Sequence, residues 1–177
     1  KELICARDPY GIKPLYYYFD GKSFKTASQV KALIAGNQIS QEKDPAALVG
    51  FYLTGSVPEP LTMYKAIKSL EAGSFIKIDK FGNFHKEIFT DISSVFSNYQ
   101  PLLQDLSKEE ISYRIKEYIK ETIDAHLLSD AKLGLFLSGG IDSSTIAGFC
   151  AEKTKLDTIT LCFEEYKNSI NDESQKT

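Results

Sequence analysis

Apolar and polar positions alternate in short runs over the first ninety residues, and then the rhythm lengthens. Residues 2–7 are an apolar stretch of strand length, closed by Asp8-Pro9-Tyr10-Gly11, a strong turn signal. Residues 15–19 are aromatic-rich and strand-like. Asp20-Gly21 then reads as a hairpin turn, with residues 23–27 as the return strand. Ser28 is placed to cap a short helix through Leu33, with Gly36 near its end. Asp44-Pro45 joins a cap residue to proline at the first helical position, which predicts a helix to about Leu53. Residues 54–60 hold one glycine and two prolines and read as loop. Residues 74–79 and 84–89 alternate well enough for a hairpin around Phe81-Gly82-Asn83. This is the pattern of an antiparallel α+β or layered domain.

Residues 90–106 are polar with scattered apolar positions, and residues 93–106 read as a linker. Ser107-Lys108-Glu109-Glu110 is a capping box, in which the serine and the glutamate three positions on satisfy each other's orphan donors. Ile111, Ile115, Tyr118, Ile119, Thr122, Ile123, His126 and Leu127 follow at the spacing of one buried helical face. Residues 133–137 are a short apolar run, as in a strand buried on both faces of a parallel sheet. Residues 138–143 then predict a loop, and residues 144–153 a helix with Ile146, Ala147 and Cys150 inward. Residues 157–163 predict a second apolar strand. Strand, glycine loop, helix and strand make a βαβ unit, which starts an open parallel sheet. The overall class is therefore α/β. At the end, Asn171-Asp172-Glu173 looks like the opening of a helix. With a first residue that is Lys1 and not methionine, the chain reads as an internal piece of a longer protein.

Composition narrows the function. Hydrophobic residues make up 42% of the 177 and charged residues 25%, ordinary for a soluble globular protein. The net charge is -3 with the signs mixed, which argues against a nucleic-acid or membrane-surface binder. No apolar run approaches the roughly 20 residues of a membrane span. Three widely spaced cysteines, Cys5, Cys150 and Cys162, read as reduced thiols of a cytoplasmic protein, and nothing resembles a zinc-ligand cluster.

The chemistry lies in Ser138-Gly139-Gly140-Ile141-Asp142-Ser143-Ser144. A buried strand would deliver this loop to the carboxyl edge of the sheet, where open α/β folds bind ligands. Two glycines permit positive φ and close approach, so backbone N–H groups can converge on an anion. Ser138, Ser143 and Ser144 add hydroxyls, and the next helix aims its positive end at the same place. Asp142 would repel a polyphosphate unless a divalent cation lay between them, which points to Mg²⁺. The spacing is neither that of Gly-x-x-x-x-Gly-Lys-Ser/Thr nor that of Gly-x-Gly-x-x-Gly.

Following an apolar strand, this loop resembles that of the PP-loop ATP pyrophosphatases, which cleave ATP between its α and β phosphates. GMP, NAD and argininosuccinate synthetases and tRNA-modifying enzymes share it. Upstream, Arg7-Asp8-Pro9-Tyr10-Gly11-Ile12-Lys13-Pro14-Leu15-Tyr16-Tyr17 resembles the late part of a class II glutamine amidotransferase domain. Residues 27–33 resemble the segment that follows there, and residues 53–58 and 67–73 its closing portion. His126-Leu127-Leu128-Ser129-Asp130 before the loop strand is also typical. In this order, and over nearly the whole chain, the motifs are similar to those of the glutamine-hydrolysing asparagine synthetase family.

The resemblance implies three segments. Residues 1–92 would be the C-terminal part of a layered glutaminase domain, 93–106 a linker, and 107–177 the N-terminal part of an ATP-binding synthetase domain. It implies an AMP-forming carbon–nitrogen ligase that uses ATP, Mg²⁺, aspartate and glutamine as small-molecule partners, and it allows a homodimer. Ser138, Gly139, Gly140, Asp142, Ser143 and Ser144 match the pyrophosphate loop, with Asp142 the metal ligand. Leu137 matches a position whose backbone meets ATP, and Leu161 one that lines the adenine site or simply packs in the core.

No residue here takes a catalytic role. The family's glutaminase nucleophile is an N-terminal cysteine, whereas Cys5 follows four residues in an expected strand and reads as a buried apolar side chain. The family's glutamine-binding residues would precede Lys1, and its aspartate-binding groups and second acidic metal ligand would follow Thr177. The chain alone is therefore expected to show neither activity. Two rivals stand beside this reading. One is a relative that acts on another carboxylate, such as a sugar, a peptide or a β-lactam precursor. The other is a non-catalytic nucleotide-binding module, against which the intact Asp142 argues.

Lesser candidates read as structural. His126 lies on the apolar helical face as a core or hinge residue, and His85 at the surface of a hairpin. Asp172 reads as a helix cap, Tyr16-Tyr17-Tyr18 as strand packing, and Cys150 and Cys162 as core.

Overall fold

The computed structural model describes residues 1–103, 106–167, 169 and 172. It is a mixed α/β structure with small sheets, divided into two compact units, residues 1–102 and 103–177.

The first unit holds two antiparallel three-stranded sheets. β1 (Leu3–Ala6), β5 (Ser74–Ile78) and β6 (Phe84–Ile88) form one, in the order β1-β5-β6. β2 (Tyr16–Phe19), β3 (Phe24–Ala27) and β4 (Lys68–Ser69) form the other, in the order β3-β2-β4. The hairpins form where the turn chemistry predicts them. Asp20 accepts the Lys22 and Ser23 N–H groups, and Asp79 accepts those of Phe81 and Asn83.

Strand alternation splits the tyrosine run between two environments. Tyr16 and Tyr18 pack against the core of Leu33, Ile39 and Ile67. Tyr17 and Phe19 point the other way, where Phe84 from the first sheet stacks on Phe19 with ring centroids 4.8 Å apart. Such pairs add about 1 kcal/mol beyond the area they bury.

Arg7 ties this unit together. Its buried guanidinium ion-pairs with Glu59 and donates to the Lys13 carbonyl (3.0 Å), the Gly11 carbonyl (2.8 Å) and the Leu70 carbonyl. The turn at Gly73 needs its glycine, because φ is +64° and a Cβ would lie 2.1 Å from the Thr90 carbonyl oxygen.

Helices α1 (Val30–Ala35) and α2 (Pro45–Thr54) stand close to their expected places. The α2 cap is Asp44, whose carboxylate accepts the Ala46 N–H. The α1 cap differs from expectation: Gln29 occupies it, extended and without a side-chain hydrogen bond, so Ser28 caps nothing. The stretch expected as linker, residues 93–106, holds the boundary between the two units and is not all irregular. It carries a helix, α3 (Ile92–Leu103), which starts after Asp91 and places Ile92, Val95, Phe96 and Tyr99 at helical spacing. Asp91 accepts the Ser94 N–H (2.8 Å), a cap hidden within a polar run.

In the second unit, α4 (Lys108–Leu127) opens with the predicted capping box. Ser107 N–H donates to Glu110 (2.9 Å), and Glu110 N–H donates to the Ser107 hydroxyl (3.2 Å). β7 (Gly134–Phe136) and β8 (Asp157–Ile159) pair in parallel, with Leu135 opposite Thr158. Between them runs α5 (Ile141–Ala151), three residues longer at its start than expected. An ion pair from Lys153 to Asp124 (3.1 Å) joins the end of α5 to α4.

Burial departs from expectation here. Ile123 and Cys150 are buried, but Phe136 is 79% exposed, and Ile111, Ile115, Tyr118 and Ile146 are exposed as well. The predicted buried face of α4 instead lines an open apolar cavity of about 640 Å³, shared with Leu135, Ile146 and Cys150. Two short strands and two helices bring too little surface to cover either face of the sheet. β8 is also shorter than predicted, which leaves Cys162 exposed and not in a core. The expected helix opening at residues 171–173 lies outside the described residues, Asp172 excepted. No helix among the described residues is long and apolar enough to cross a membrane.

Candidate phosphate-binding site

Two parallel strands end side by side at the carboxyl edge, and the loop leaves from the first of them. Leu137 follows β7. Its N–H donates to the Ile159 carbonyl (2.9 Å), and its own carbonyl accepts the Thr160 hydroxyl (2.8 Å). A second lone pair remains on that carbonyl.

Beyond Leu137 the loop is organised by its own serines. Ser138 N–H donates to Ser143 Oγ (3.3 Å), and the two hydroxyl oxygens are 3.0 Å apart. Ser143 Oγ also lies 3.2 Å from the Gly140 carbonyl, to which it donates. Gly139 holds φ at +67°, a left-handed conformation that costs other residues roughly 1–2 kcal/mol. Gly140 caps α5 in an extended conformation, with no side chain bonded to the first-turn N–H groups. Ser144 N–H makes the first helical bond, to the Gly140 carbonyl (3.0 Å). The N–H groups ahead of it face outward with the positive end of the helix, an arrangement suited to an anion.

Asp142 stands in the first turn of α5, exposed. Among the described residues it has no hydrogen-bond or ion-pair partner. Nor do the described residues contain a group of three His, Cys, Asp or Glu side chains that could hold a metal alone. A lone, unengaged carboxylate beside a hydroxyl-rich anion cradle fits Mg²⁺, which takes one or two carboxylates and completes its shell with phosphate oxygens and water.

The structure thus gathers Leu137, Ser138, Gly139, Gly140, Asp142, Ser143 and Ser144 into one loop. Leu161 lies two residues beyond β8, at the same edge of the sheet, with its side chain 70% exposed. Thr160 was hidden in the sequence as part of an apolar strand. Its contact with Leu137 depends on strand pairing across 23 residues. The other candidates are apart from this site. His126 is exposed, and its ring Nδ1 lies 2.8 Å from the Thr122 carbonyl. His85 is paired with Glu87 (3.1 Å) at the surface. Cys5 lies on β1, half-buried, and burial pushes its thiol pKa up, which disfavours the thiolate a nucleophile needs.

Two segments of the chain match families of known proteins. Residues 1–89 match the family model described as a glutamine amidotransferase domain, and residues 114–176 match that of asparagine synthase. A putative asparagine synthetase (glutamine-hydrolyzing) 2 of Methanocaldococcus jannaschii is 32% identical over 171 residues, 92% of this chain and 31% of that protein. Asparagine synthetase (glutamine-hydrolyzing) 1 of Bacillus subtilis is 33% identical over 177 residues, 99% of this chain and 27% of that protein. The chain belongs to the glutamine-hydrolysing asparagine synthetase family. It spans less than a third of the length of these relatives.

Proposed function

We propose that the whole protein is a cytoplasmic, AMP-forming amide ligase that makes asparagine from aspartate, with glutamine as the ammonia source. In this reading residues 1–92 are the closing part of a layered glutaminase domain, and residues 107–177 open the PP-loop domain that binds ATP. The observation that carries the reading is the loop at residues 138–144, where two paired hydroxyls, a helix N-terminus with no side-chain cap bond and the unengaged Asp142 meet at the carboxyl edge of a parallel pair.

The backbone of Gly139 and Gly140 and the hydroxyls of Ser138, Ser143 and Ser144 would hold the β and γ phosphates of ATP. Leu137 and Leu161 would flank the adenosine end. Mg²⁺ held by Asp142 would neutralise phosphate charge as pyrophosphate departs. The aspartate side-chain carboxylate attacks the α phosphorus, which releases pyrophosphate and leaves β-aspartyl-AMP. Ammonia then displaces AMP, with loss of a proton, to give asparagine. Adenylation turns a poor leaving group into a good one, and the loop contributes by positioning and by charge stabilisation.

The test is pyrophosphate release by the whole protein with ATP, Mg²⁺ and glutamine, with and without aspartate. Release that depends on aspartate is expected. Release that ignores aspartate but responds to another carboxylate would move the acceptor to a sugar, a peptide or a β-lactam precursor.

A further inference from the structure

The chain leaves β7 through the peptide unit that joins Leu137 to Ser138, and side-chain hydroxyls hold both sides of that unit. On the carbonyl side, Thr160 Oγ1 donates to the Leu137 oxygen at 2.8 Å. On the amide side, Ser138 N–H donates to Ser143 Oγ at 3.3 Å. Ser143 belongs to the loop, whereas Thr160 is the first residue after β8 and reaches Leu137 only because β7 and β8 pair in parallel.

This plane sets the direction in which Ser138 leaves the sheet. The next residue, Gly139, has no Cβ and φ of +67°, so it resists little if the plane turns. The hold from Ser143 within the loop is long, at 3.3 Å, so the shorter one from Thr160, outside the loop, carries most of the restraint. Threonine suits that task, because β-branching leaves its χ1 few options and its hydroxyl stays aimed. The hydroxyl donates inward, to backbone, and so is not itself directed at a nucleotide.

We propose that Thr160 is the positioning residue of the phosphate loop: its hydroxyl fixes the Leu137–Ser138 peptide plane, which places the Ser138 hydroxyl and the loop N–H groups to receive the phosphates of Mg·ATP. This rests on the ATP-binding reading of the loop. Thr160→Val keeps the shape and removes the donor, so the Leu137 carbonyl turns to water and the loop loses its register. Thr160→Ser keeps the donor.

Both variants are compared with wild type in the whole protein, by equilibrium titration with Mg·ATP and by ATP-dependent pyrophosphate release. Thr160→Val is expected to weaken Mg·ATP binding about tenfold, with kcat/KM for ATP falling alike, as for loss of one ordering hydrogen bond. Glutamine hydrolysis stays unchanged, and melting temperature falls by no more than about 3 °C. Thr160→Ser stays within about twofold of wild type. Wild-type binding by Thr160→Val overturns the proposal, as do equal losses in the two variants, which would assign the effect to the methyl group. A Thr160→Val loss that extends to glutamine hydrolysis, with a melting temperature lowered by well over about 3 °C, overturns it too. If wild type itself neither binds Mg·ATP nor releases pyrophosphate, the ATP reading falls and the role of Thr160 with it.

Discussion

Asp8, Asp20 and Asp79 in the first unit and Asp142 in the second all stand where one element gives way to another, and their surroundings differ. Asp8 accepts the N–H groups of Tyr10, Ile12 and Lys13, and the bond from Lys13 is the leading reason its pKa is lowered. Asp20 is lowered to about 2, first by the Ser23 N–H. Asp79 is lowered too, first by the Asn83 side chain. Each of these carboxylates closes its own turn. Asp142 closes nothing, and the serines around it bond to one another and to backbone. On the proposed function, the difference separates turns made for folding from a loop that would receive a ligand. A carboxylate consumed by its own backbone has little left for a cation, whereas one standing free beside a helix N-terminus would be able to take a metal–phosphate complex as its partner.

The sharpest way to break this comparison is at Arg7. Arg7→Ala leaves Glu59 and the carbonyls of Gly11, Lys13 and Leu70 without their buried donor. It is expected to cost the chain about 2–4 kcal/mol in urea unfolding followed by circular dichroism, chiefly through the carbonyls left without a donor. Asp142→Ala should cost less than about 0.5 kcal/mol in the same experiment. Equal losses would mean that Asp142 is a folding residue like the others.

A smaller effect separates the two helix caps. Asp44→Ala removes a bonded cap and is expected to cost about 1 kcal/mol, whereas Ser28→Ala removes no cap bond and should stay within about 0.5 kcal/mol. A larger loss for Ser28→Ala would restore serine as the α1 cap.

The gentlest effect is the acid response. Asp20 has a folded pKa of about 2 against an ordinary 3.8, so it favours the fold above 3.8, and that contribution fades as pH falls from 3.8 towards 2. Melting temperature should drop over that window, and Asp20→Asn should drop less. An unchanged acid slope in Asp20→Asn would remove this turn from the account.

What could be read in the sequence was chemistry that acts locally. Asp20-Gly21, Asp44-Pro45 and the Ser107–Glu110 box settle their own turns and caps within four residues, and the structure keeps all three. The serine–glycine loop was legible for the same reason, since its residues lie together in the chain. The start of α3 was not, because Asp91 and the apolar positions from Ile92 to Tyr99 are diluted by serines. Burial was misjudged along α4, β7 and α5, because an apolar stripe shows a surface that seeks a cover and not whether the unit supplies one. Thr160 stayed hidden because its role comes from which strand lies beside which.

In the proposed function, the loop after β7 binds a magnesium-bridged polyphosphate through Asp142. The most direct measurement is ATP-dependent pyrophosphate release by the whole protein across a Mg²⁺ titration, for wild type and for Asp142→Ala, with glutamine hydrolysis followed in parallel. Asp142→Ala is expected to lower release by about a hundredfold or more at every Mg²⁺ concentration while glutamine hydrolysis continues at the wild-type rate. Release by Asp142→Ala at the wild-type rate, with the same Mg²⁺ dependence, would contradict it.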